Sequence, residues 1–307
     1  TFVTKPIDAE SLSPLIEQAA RQRAEESQHN IAGESEVTRA LFKAIDQLAP
    51  VSEPVLITGE TGTGKEVVAR ALHSRSARAE EPFVAINMSC LPPNLIESSL
   101  FGHVKGSFTG AIQNKMGYFE EVGRGTLFLD EVAELPLEHQ AKLLRVIEGS
   151  EFRPVGASSD QKFSGRLITA THRNLMKEVS EGRFREDLFY RLQVLPLHLS
   201  PLRQRPEDIF PILSMWFKKI TNNQITFTEE TRRVLIDYPW YGNAREIVNL
   251  TRRIAIFFPE GGEIEHEFIK RMLSVNPFAR HSEVIHNFSS GADEPRFKNQ
   301  RTQDLDE

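Results

Sequence analysis

The sequence predicts an α/β protein, a parallel sheet flanked by helices, followed by a smaller, all-helical subdomain. Up to about residue 200, short apolar runs alternate with stretches of helical periodicity, the pattern of a parallel sheet covered on both faces. Beyond that point the apolar residues recur only at helical spacing. A glycine-rich turn also follows the first apolar run of the α/β part, and sheets of this kind bind phosphate at such turns.

The composition is typical of a folded, soluble protein. Of the 307 residues 39% are apolar, and the net charge of −6 gives no general attraction to a polyanion. Cys90 is the only cysteine, which excludes an internal disulfide and a cysteine metal cluster; we expect it to be a small, buried apolar residue. No apolar run approaches the roughly 18 residues that a membrane span requires. We expect a cytoplasmic protein without membrane contact.

The first 30 residues are predicted to be the last strand and helix of a preceding domain, followed by a linker. Residues 1–8 are strand-like, and residues 21–30 are polar and charged. Between them, apolar side chains at helical spacing form one face: Leu12, Leu15, Ile16, Ala19 and Ala20.

Residues 31–200 are predicted to form the α/β subdomain. It opens with a helix that stops at Pro50 and whose apolar positions are Val37, Ala40, Leu41, Ala44, Ile45 and Leu48. The predicted strands are residues 55–57, 83–86, 125–129 and 166–170.

Residues 201–276 are predicted to form the helical subdomain, and residues 277–307 a polar, disordered tail. The predicted helices lie near residues 206–220, 228–238, 243–257 and 264–274.

A phosphate-binding loop is predicted between the strand at 55–57 and the next helix, the context that such a loop requires. Its glycines let backbone N–H groups face phosphate oxygens, the helix N-terminus adds partial positive charge, and Lys65 supplies a full charge. Glu66 stands where other loops of this kind have a Ser or Thr ligand for Mg²⁺. A glycine-lysine pair alone could be an ordinary turn, but the flanking strand and helix favour nucleotide binding. The predicted nucleotide-binding residues of the loop are Gly59, Glu60, Thr61, Gly62, Thr63, Gly64, Lys65 and Glu66.

Two carboxylates end the apolar run at 127–129. Because parallel strands deliver their carboxyl ends to the ligand crevice, Asp130 and Glu131 are expected beside the phosphates. In phosphoryl-transfer sites one acid typically holds Mg²⁺ and another orients or deprotonates the attacking water. We assign the metal role to Asp130 and the water role to Glu131. The alternative, a plain surface pair at a turn, is disfavoured by the nearby loop.

The segment 182–192 is rich in arginine. Arg185 and Arg191 are six residues apart and could both project from one edge of the molecule toward a neighbouring copy's nucleotide. An arginine supplied in trans accelerates phosphoryl transfer by about 10³–10⁵-fold. The alternative is an ordinary helix face with ion pairs to Glu186 and Asp187.

Together these residues resemble the AAA+ domain of bacterial enhancer-binding proteins, the NtrC-like activators of sigma-54 RNA polymerase. The specific segment is residues 100–111, which read Leu-Phe-Gly-His-Val-Lys-Gly-Ser-Phe-Thr-Gly-Ala and are similar to the family's sigma-54-contacting signature. The resemblance runs from about residue 31 to 275 and includes Glu66. The contacting part, called the signature loop below, consists of Gly106, Ser107, Phe108, Thr109, Gly110 and Ala111.

The resemblance implies further roles at the nucleotide. Asn87 matches the asparagine that pairs with the catalytic glutamate, here Glu131. Thr171 and His172 match the first nucleotide sensor. Arg245 matches the second sensor, near the γ-phosphate.

It also implies that Arg185 and Arg191 are two arginine fingers and that residues 156–163 form a second mobile loop beside the signature loop. Three residues depart from the family pattern: Ser107 replaces the commoner alanine, Val104 a usual glutamate, and Ser99 another. Because a serine hydroxyl is a small change in an exposed loop, we expect the contact with sigma-54 to survive.

The function implied is that of an ATPase using ATP and Mg²⁺, which assembles into a hexameric or heptameric ring and remodels the sigma-54 RNA polymerase closed complex. The end of a receiver domain at residues 1–30 implies a sensor kinase as partner. Enhancer DNA would be bound only through a domain absent from this chain. The competing hypothesis is a nucleotide-gated switch without turnover. A third, a AAA+ unfoldase or clamp loader, leaves the signature loop without a purpose.

Overall fold

The computed structural model describes residues 31–274. The predictions for residues 1–30 and 277–307 lie outside the described residues. The order of elements, an α/β part followed by a mostly helical part, agrees with the predicted fold class.

A five-stranded parallel sheet forms the centre of the α/β part. Its strands are β1 (Val55–Gly59), β2 (Phe83–Asn87), β3 (Thr126–Asp130), β6 (Arg166–Thr171) and β7 (Leu195–Leu199), and the short β4 (Glu151–Phe152) and β5 (Gln161–Lys162) form a separate antiparallel pair. The order across the sheet is β2-β3-β6-β1-β7, so β1 lies inside the sheet. All four predicted strands are present.

Helices cover both faces of this sheet: α1 (Glu36–Leu48), α2 (Lys65–Ser74), α3 (Pro93–Phe101), α4 (Tyr118–Glu121), α5 (Leu137–Gly149), α6 (Leu175–Ser180) and α7 (Glu186–Leu192). Successive strand residues point to opposite faces. Leu127 and Leu129 of β3 therefore join the core under α3 to α7, whereas Phe128 joins the core under α1 and α2.

The edge strand β7 was not predicted from the sequence. Its five residues include Pro196, which lowers the strand signal because proline cannot donate a backbone hydrogen bond. Proline is tolerated here because β7 has only one neighbour among the described strands, β1, and its other side needs no ladder.

The second part contains the four predicted helices: α8 (Ile209–Thr221), α9 (Glu229–Asp237), α10 (Asn243–Phe257) and α11 (His266–Ser274). The expectation of helices alone is wrong, because β8 (Ile225–Phe227) and β9 (Gly262–Ile264) pair in parallel. Three-residue strands are too short to give a periodic signal. The fully buried Trp240 lies in the core, and its Nε1 donates a hydrogen bond to the Leu235 carbonyl at 2.8 Å.

Two smaller predictions concern exposure. Cys90, which we expected to be buried, is exposed at the end of the short turn Met88–Cys90. Across residues 31–274, no helix combines the length and apolar character needed to cross a bilayer.

Candidate functional site

The carboxyl ends of the parallel strands bring the predicted site residues to one edge of the sheet. β1 ends at Gly59, from which the phosphate-binding loop leads into α2. The neighbouring strands end at Asn87, Asp130 and Thr171. This is the edge at which open α/β sheets bind their ligands.

The phosphate-binding loop wraps around the amine of Lys65. Lys65 begins α2, is 7% exposed, and its Nζ donates to the carbonyls of Gly59 at 2.9 Å and Glu60 at 3.3 Å. Gly64 precedes it with φ of 104°, a left-handed backbone that favours glycine. A Cβ at Gly64 would meet no atom within 4 Å, so the space above the loop is open to a ligand.

Lys65 faces the two carboxylates that end β3. Its Nζ lies 3.8 Å from Glu131 Oε1. Burial lowers the pKa of Lys65, and the carboxylates of Glu131 and Asp130 oppose that change. The pair thus places a cation and an anion side by side where the phosphate-binding loop meets the end of β3.

Asp130 is paired with Asn87. The Asn87 side-chain amide donates to Asp130 Oδ2 at 3.1 Å, and its oxygen accepts from the Ser89 backbone N–H at 2.9 Å. The resemblance implied that Asn87 pairs with Glu131, so this contact is a correction. Burial raises the pKa of Asp130, and the neighbouring charge of Glu131 raises it further. A bound cation would relieve both effects.

Glu131 is held by His172 instead. Its Oε2 accepts hydrogen bonds from the His172 backbone N–H at 3.2 Å and lies 2.7 Å from the ring Nδ1. Glu131 also has a left-handed backbone, with φ of 56°, which is strained for a residue with a side chain. This backbone conformation and the contact with His172, which follows β6, together fix the position of the Glu131 carboxylate at the mouth of the site.

A cavity of about 440 Å³ lies above the loop, between the α/β part and the helical part. This volume is in the range of small-molecule sites. Its polar lining includes Asp130, Glu131 and His172 from the sheet and Arg245 from α10. Its apolar lining includes Ile31, Leu41, Ile212, Met215, Trp216 and Val248. One end therefore suits phosphates and the other a flat apolar ring.

The donor set fits a nucleotide with Mg²⁺. Among the described residues no group of three or more His, Cys, Asp or Glu side chains could hold a metal ion. Magnesium at nucleotide sites takes one or two carboxylates together with phosphate and water oxygens. Asp130 meets that need, with Asn87 fixing the orientation of its carboxylate.

Several predicted residues do not line this cavity. Gly59 and Glu60 are outside its lining, as is Thr171, which is fully buried with its hydroxyl accepting from the Arg173 N–H at 3.0 Å. Arg185 and Arg191 do not line it either.

Arg185 and Arg191 are both exposed. Arg185 makes the ion pair with Asp187, 2.7 Å from Nη2 to Oδ2, that the plainer interpretation of this segment expected. Its backbone N–H donates to Gln140 Oε1 at 2.8 Å, which fixes the start of α7.

A buried carboxylate ties the approach to α1 to the helical part. Asp208 is fully buried and accepts hydrogen bonds from the N–H groups of Glu34 and Ser35, both at 2.8 Å, and from two hydroxyls, of Ser35 and Thr38. Arg205 lies beside it and donates to a carbonyl of the phosphate-binding loop. This cluster was not predicted, because Asp208 lies about 170 residues from Glu34, Ser35 and Thr38.

The signature loop stands away from the cavity. Phe108 is 42% exposed, with its ring edge-on to His103 at 4.9 Å between centroids. Backbone hydrogen bonds from Gly106 to Ala111 and from Ser107 to Val104 close the loop on itself.

Ser107 is less exposed than we expected. Its hydroxyl is buried and has no hydrogen-bond partner among the described residues. A Cβ on Gly156 would come within 2.6 Å of Ser107 Cβ, so the predicted second loop packs directly on the signature loop.

The fold and site define a nucleotide-binding α/β protein with a helical lid. Comparison with known families identifies it further. The family described as "Sigma-54 interaction domain" matches residues 31–198, and the family "AAA+ ATPase lid domain" matches residues 203–283. The chain therefore belongs to the sigma-54 interaction domain family of AAA+ proteins.

Individual relatives agree. The chain is 39% identical over 297 residues to the regulatory protein LuxO of Vibrio vulnificus, covering 92% of this chain and 65% of LuxO. It is 42% identical over 270 residues to the transcriptional regulator NtrC of Escherichia coli K12, covering 83% of this chain and 57% of NtrC. It thus spans somewhat less than two thirds of the length of these relatives.

Among solved structures, NtrX of Brucella abortus in complex with ATP superposes with a TM-score of 0.70 at 35% identity, over 84% of this chain and 58% of NtrX. An ADP complex of the same protein gives the same values.

Proposed function

We propose that this chain is an ATPase that hydrolyses ATP to ADP and phosphate and uses the reaction to activate sigma-54 RNA polymerase. The observation that carries the proposal is the placement of Glu131. Its carboxylate is held 3.8 Å from Lys65 Nζ by His172, across an open phosphate-binding loop. A protein that only binds nucleotide has no need of a fixed, strained carboxylate at this point.

The residues divide the work of phosphoryl transfer. The loop N–H groups and Lys65 bind the outer phosphates. Asp130 holds Mg²⁺, which when bound neutralises charge that develops on the phosphates. Glu131 orients the attacking water and accepts its proton. Arg245, on the first turn of α10, approaches the γ-phosphate from the helical part.

The apolar end of the cavity binds the adenine ring. Ile31 and Leu41 line it from the α/β side and Trp216 from α8. NtrX, the relative solved with ATP, supports the assignment of the nucleotide.

Arg185 and Arg191 act on the nucleotide of a neighbouring copy. Neither lines the cavity of its own chain, and both are exposed. We therefore propose a ring, a hexamer or heptamer, in which each site is completed by the next subunit. The Arg185–Asp187 ion pair must open or tilt when Arg185 enters that site.

The signature loop contacts sigma-54, with Phe108 as its exposed aromatic. Hydrolysis changes the position of this loop and remodels the closed promoter complex. We propose that residues 1–30 are the end of a receiver domain followed by a linker, with a sensor kinase as the partner of that domain.

Phosphate release measured across a series of protein concentrations tests the proposal. Because the site is shared between subunits, specific activity should rise with concentration and then level off. Lys65→Ala is the inactive reference. Negligible turnover at high concentration, with ATP still bound, would instead support a nucleotide-gated switch.

A further inference from the structure

The phosphate-binding loop is attached to the helical part through the side chain of Glu60. The Glu60 carboxylate accepts two hydrogen bonds from the guanidinium of Arg203, at 2.6 and 2.8 Å. A bidentate contact of this kind fixes the orientation of the two side chains as well as their distance. The same bonds lower the pKa of Glu60. Glu60 thus turns away from the cavity, although the sequence placed it among the nucleotide ligands.

Asn243 joins three segments through one side chain. It is fully buried, and its oxygen accepts from the Leu202 N–H at 2.7 Å. Its amide nitrogen donates to Glu60 Oε2 at 3.2 Å and to the Thr61 carbonyl at 3.1 Å. Every one of these partners is a backbone or side-chain group of the loop or of the start of the helical part.

Asn243 is also the first residue of α10, two positions before Arg245. The α10 backbone touches the loop as well, since the Arg245 N–H donates to the Gly62 carbonyl at 3.3 Å. A Cβ on Gly62 would lie 2.3 Å from the Gly242 carbonyl oxygen. The loop and the first turn of α10 are therefore in direct contact.

Asn243 adopts a left-handed backbone, with φ of 52°. Asparagine tolerates this conformation better than most residues do. The side chain and the backbone conformation together place the first turn of α10, and hence Arg245, over the loop.

We infer that Glu60, Arg203 and Asn243 form a clasp that positions Arg245 relative to the phosphate-binding loop, so that the helical part distinguishes a triphosphate from a diphosphate. The inference rests on the proposed function. The three are positioning residues, because none of them needs to touch the nucleotide. Without the clasp, α10 remains a helix, but its first turn no longer has a fixed position relative to the phosphate-binding loop.

The test compares Asn243→Gly with Asn222→Gly. Glycine accepts the left-handed backbone at both positions, φ being 52° and 61°, so neither change strains the chain. Asn222 is exposed at the end of α8 and makes no side-chain hydrogen bond to the loop, which makes it a matched control. Dissociation constants for ATP and ADP are measured with both variants and with Arg245→Ala.

Asn243→Gly should reduce the ratio of ATP to ADP affinity by about five- to thirty-fold, because Asn243 and Arg245 act through one hydrogen-bond network. Asn222→Gly should leave this ratio unchanged. The double variant with Arg245→Ala should lose little more than Arg245→Ala alone, because both act through the same arginine. Full additivity, or equal behaviour of the two glycine variants, would overturn the clasp.

Hydrogen exchange in nucleotide-free protein separates this inference from the proposed function. Faster exchange in residues 59–66 and 243–247 of Asn243→Gly, compared with Asn222→Gly, supports the clasp even if no ATP is hydrolysed. Unchanged exchange there refutes it even in an active ATPase.

Discussion

The phosphate-binding loop and the signature loop differ in how their side chains are held. Lys65 and Glu131 are nearly buried. Lys65 contacts two carbonyls of its own loop and the carboxylate of Glu131, and Glu131 contacts both Lys65 and His172. Phe108 is 42% exposed, and the loop that carries it is closed mainly by its own backbone. A site for chemistry needs fixed groups, whereas a loop that must move needs few contacts to give up. The contrast fits the proposed division between a site for hydrolysis and a loop that moves.

The largest test asks whether the fixed site is complete within one chain. Arg185→Ala should lower kcat by about 10³–10⁵-fold with little change in ATP affinity, because the residue acts on a neighbour's phosphate. Phosphate release and nucleotide binding measure the two effects. Arg75→Ala is the control, since it removes an exposed arginine that is also paired with an aspartate, Asp46, at 2.7 Å. Normal turnover in Arg185→Ala would mean that the site needs no second copy.

The next test concerns the fixed carboxylate itself. Glu131→Gln keeps the shape and the hydrogen bond to His172 but removes the base, so kcat should fall by about 10²–10⁴-fold while ATP remains bound. Single-turnover hydrolysis measures the change. Glu138→Gln, at an exposed position on α5, serves as the control. If the two variants hydrolysed ATP equally, Glu131 would not be the base.

On the other side of the comparison, Phe108→Ala should weaken capture of sigma-54 in the presence of an ATP transition-state analogue. Loss of an interface aromatic costs about 2 kcal/mol or more, roughly 30-fold in affinity. ATP hydrolysis should be unchanged, because Phe108 is not among the residues that line the cavity. Met176→Ala removes a more exposed apolar side chain on α6 and should have no effect on capture. Equal capture by wild type and Phe108→Ala would contradict the assignment of the loop.

The smallest effect tests how loosely the signature loop is held. Gly156→Ala and Gly123→Ala both place alanine at a left-handed position, with φ of 78° and 54°, and each should cost about 1–2 kcal/mol of stability. Only Gly156→Ala meets a neighbour, Ser107 Cβ at 2.6 Å. It should therefore lose more stability than Gly123→Ala on thermal unfolding, and it should also shift the loop and weaken sigma-54 capture. Identical capture would mean that the second loop does not set the position of the first.

The site at the carboxyl ends of the parallel strands was predicted well, because the sequence patterns that indicate it are local. Strand, loop and helix follow one another at 55–74, and Asp130 and Glu131 come at the end of an apolar strand. The strand β7 was missed because Pro196 weakens a short pattern. Contacts across the chain were beyond local patterns. Nothing in the sequence indicates that His172 holds Glu131 or that Asn87 turns to Asp130.

The clasp illustrates the same limit. Arg203 is 143 residues from Glu60, and Asn243 is 183 residues from it. Each looks like an ordinary polar residue in its own segment. Only the folded chain places them against the loop, and only their contacts in the structure show that Glu60 is bound to the helical part.

The buried Asp208 has a mechanical consequence. Because its carboxylate secures residues 34–38 to the helical part, any rotation of that part would pull on the polypeptide entering α1. A force on that polypeptide would in turn tilt the helical part. Thermodynamic linkage makes the exchange reciprocal: a restraint on the incoming chain alters the affinity for nucleotide by the factor with which nucleotide alters the restraint. The link between the entry to α1 and the cavity would then run through the helical part and not through the sheet.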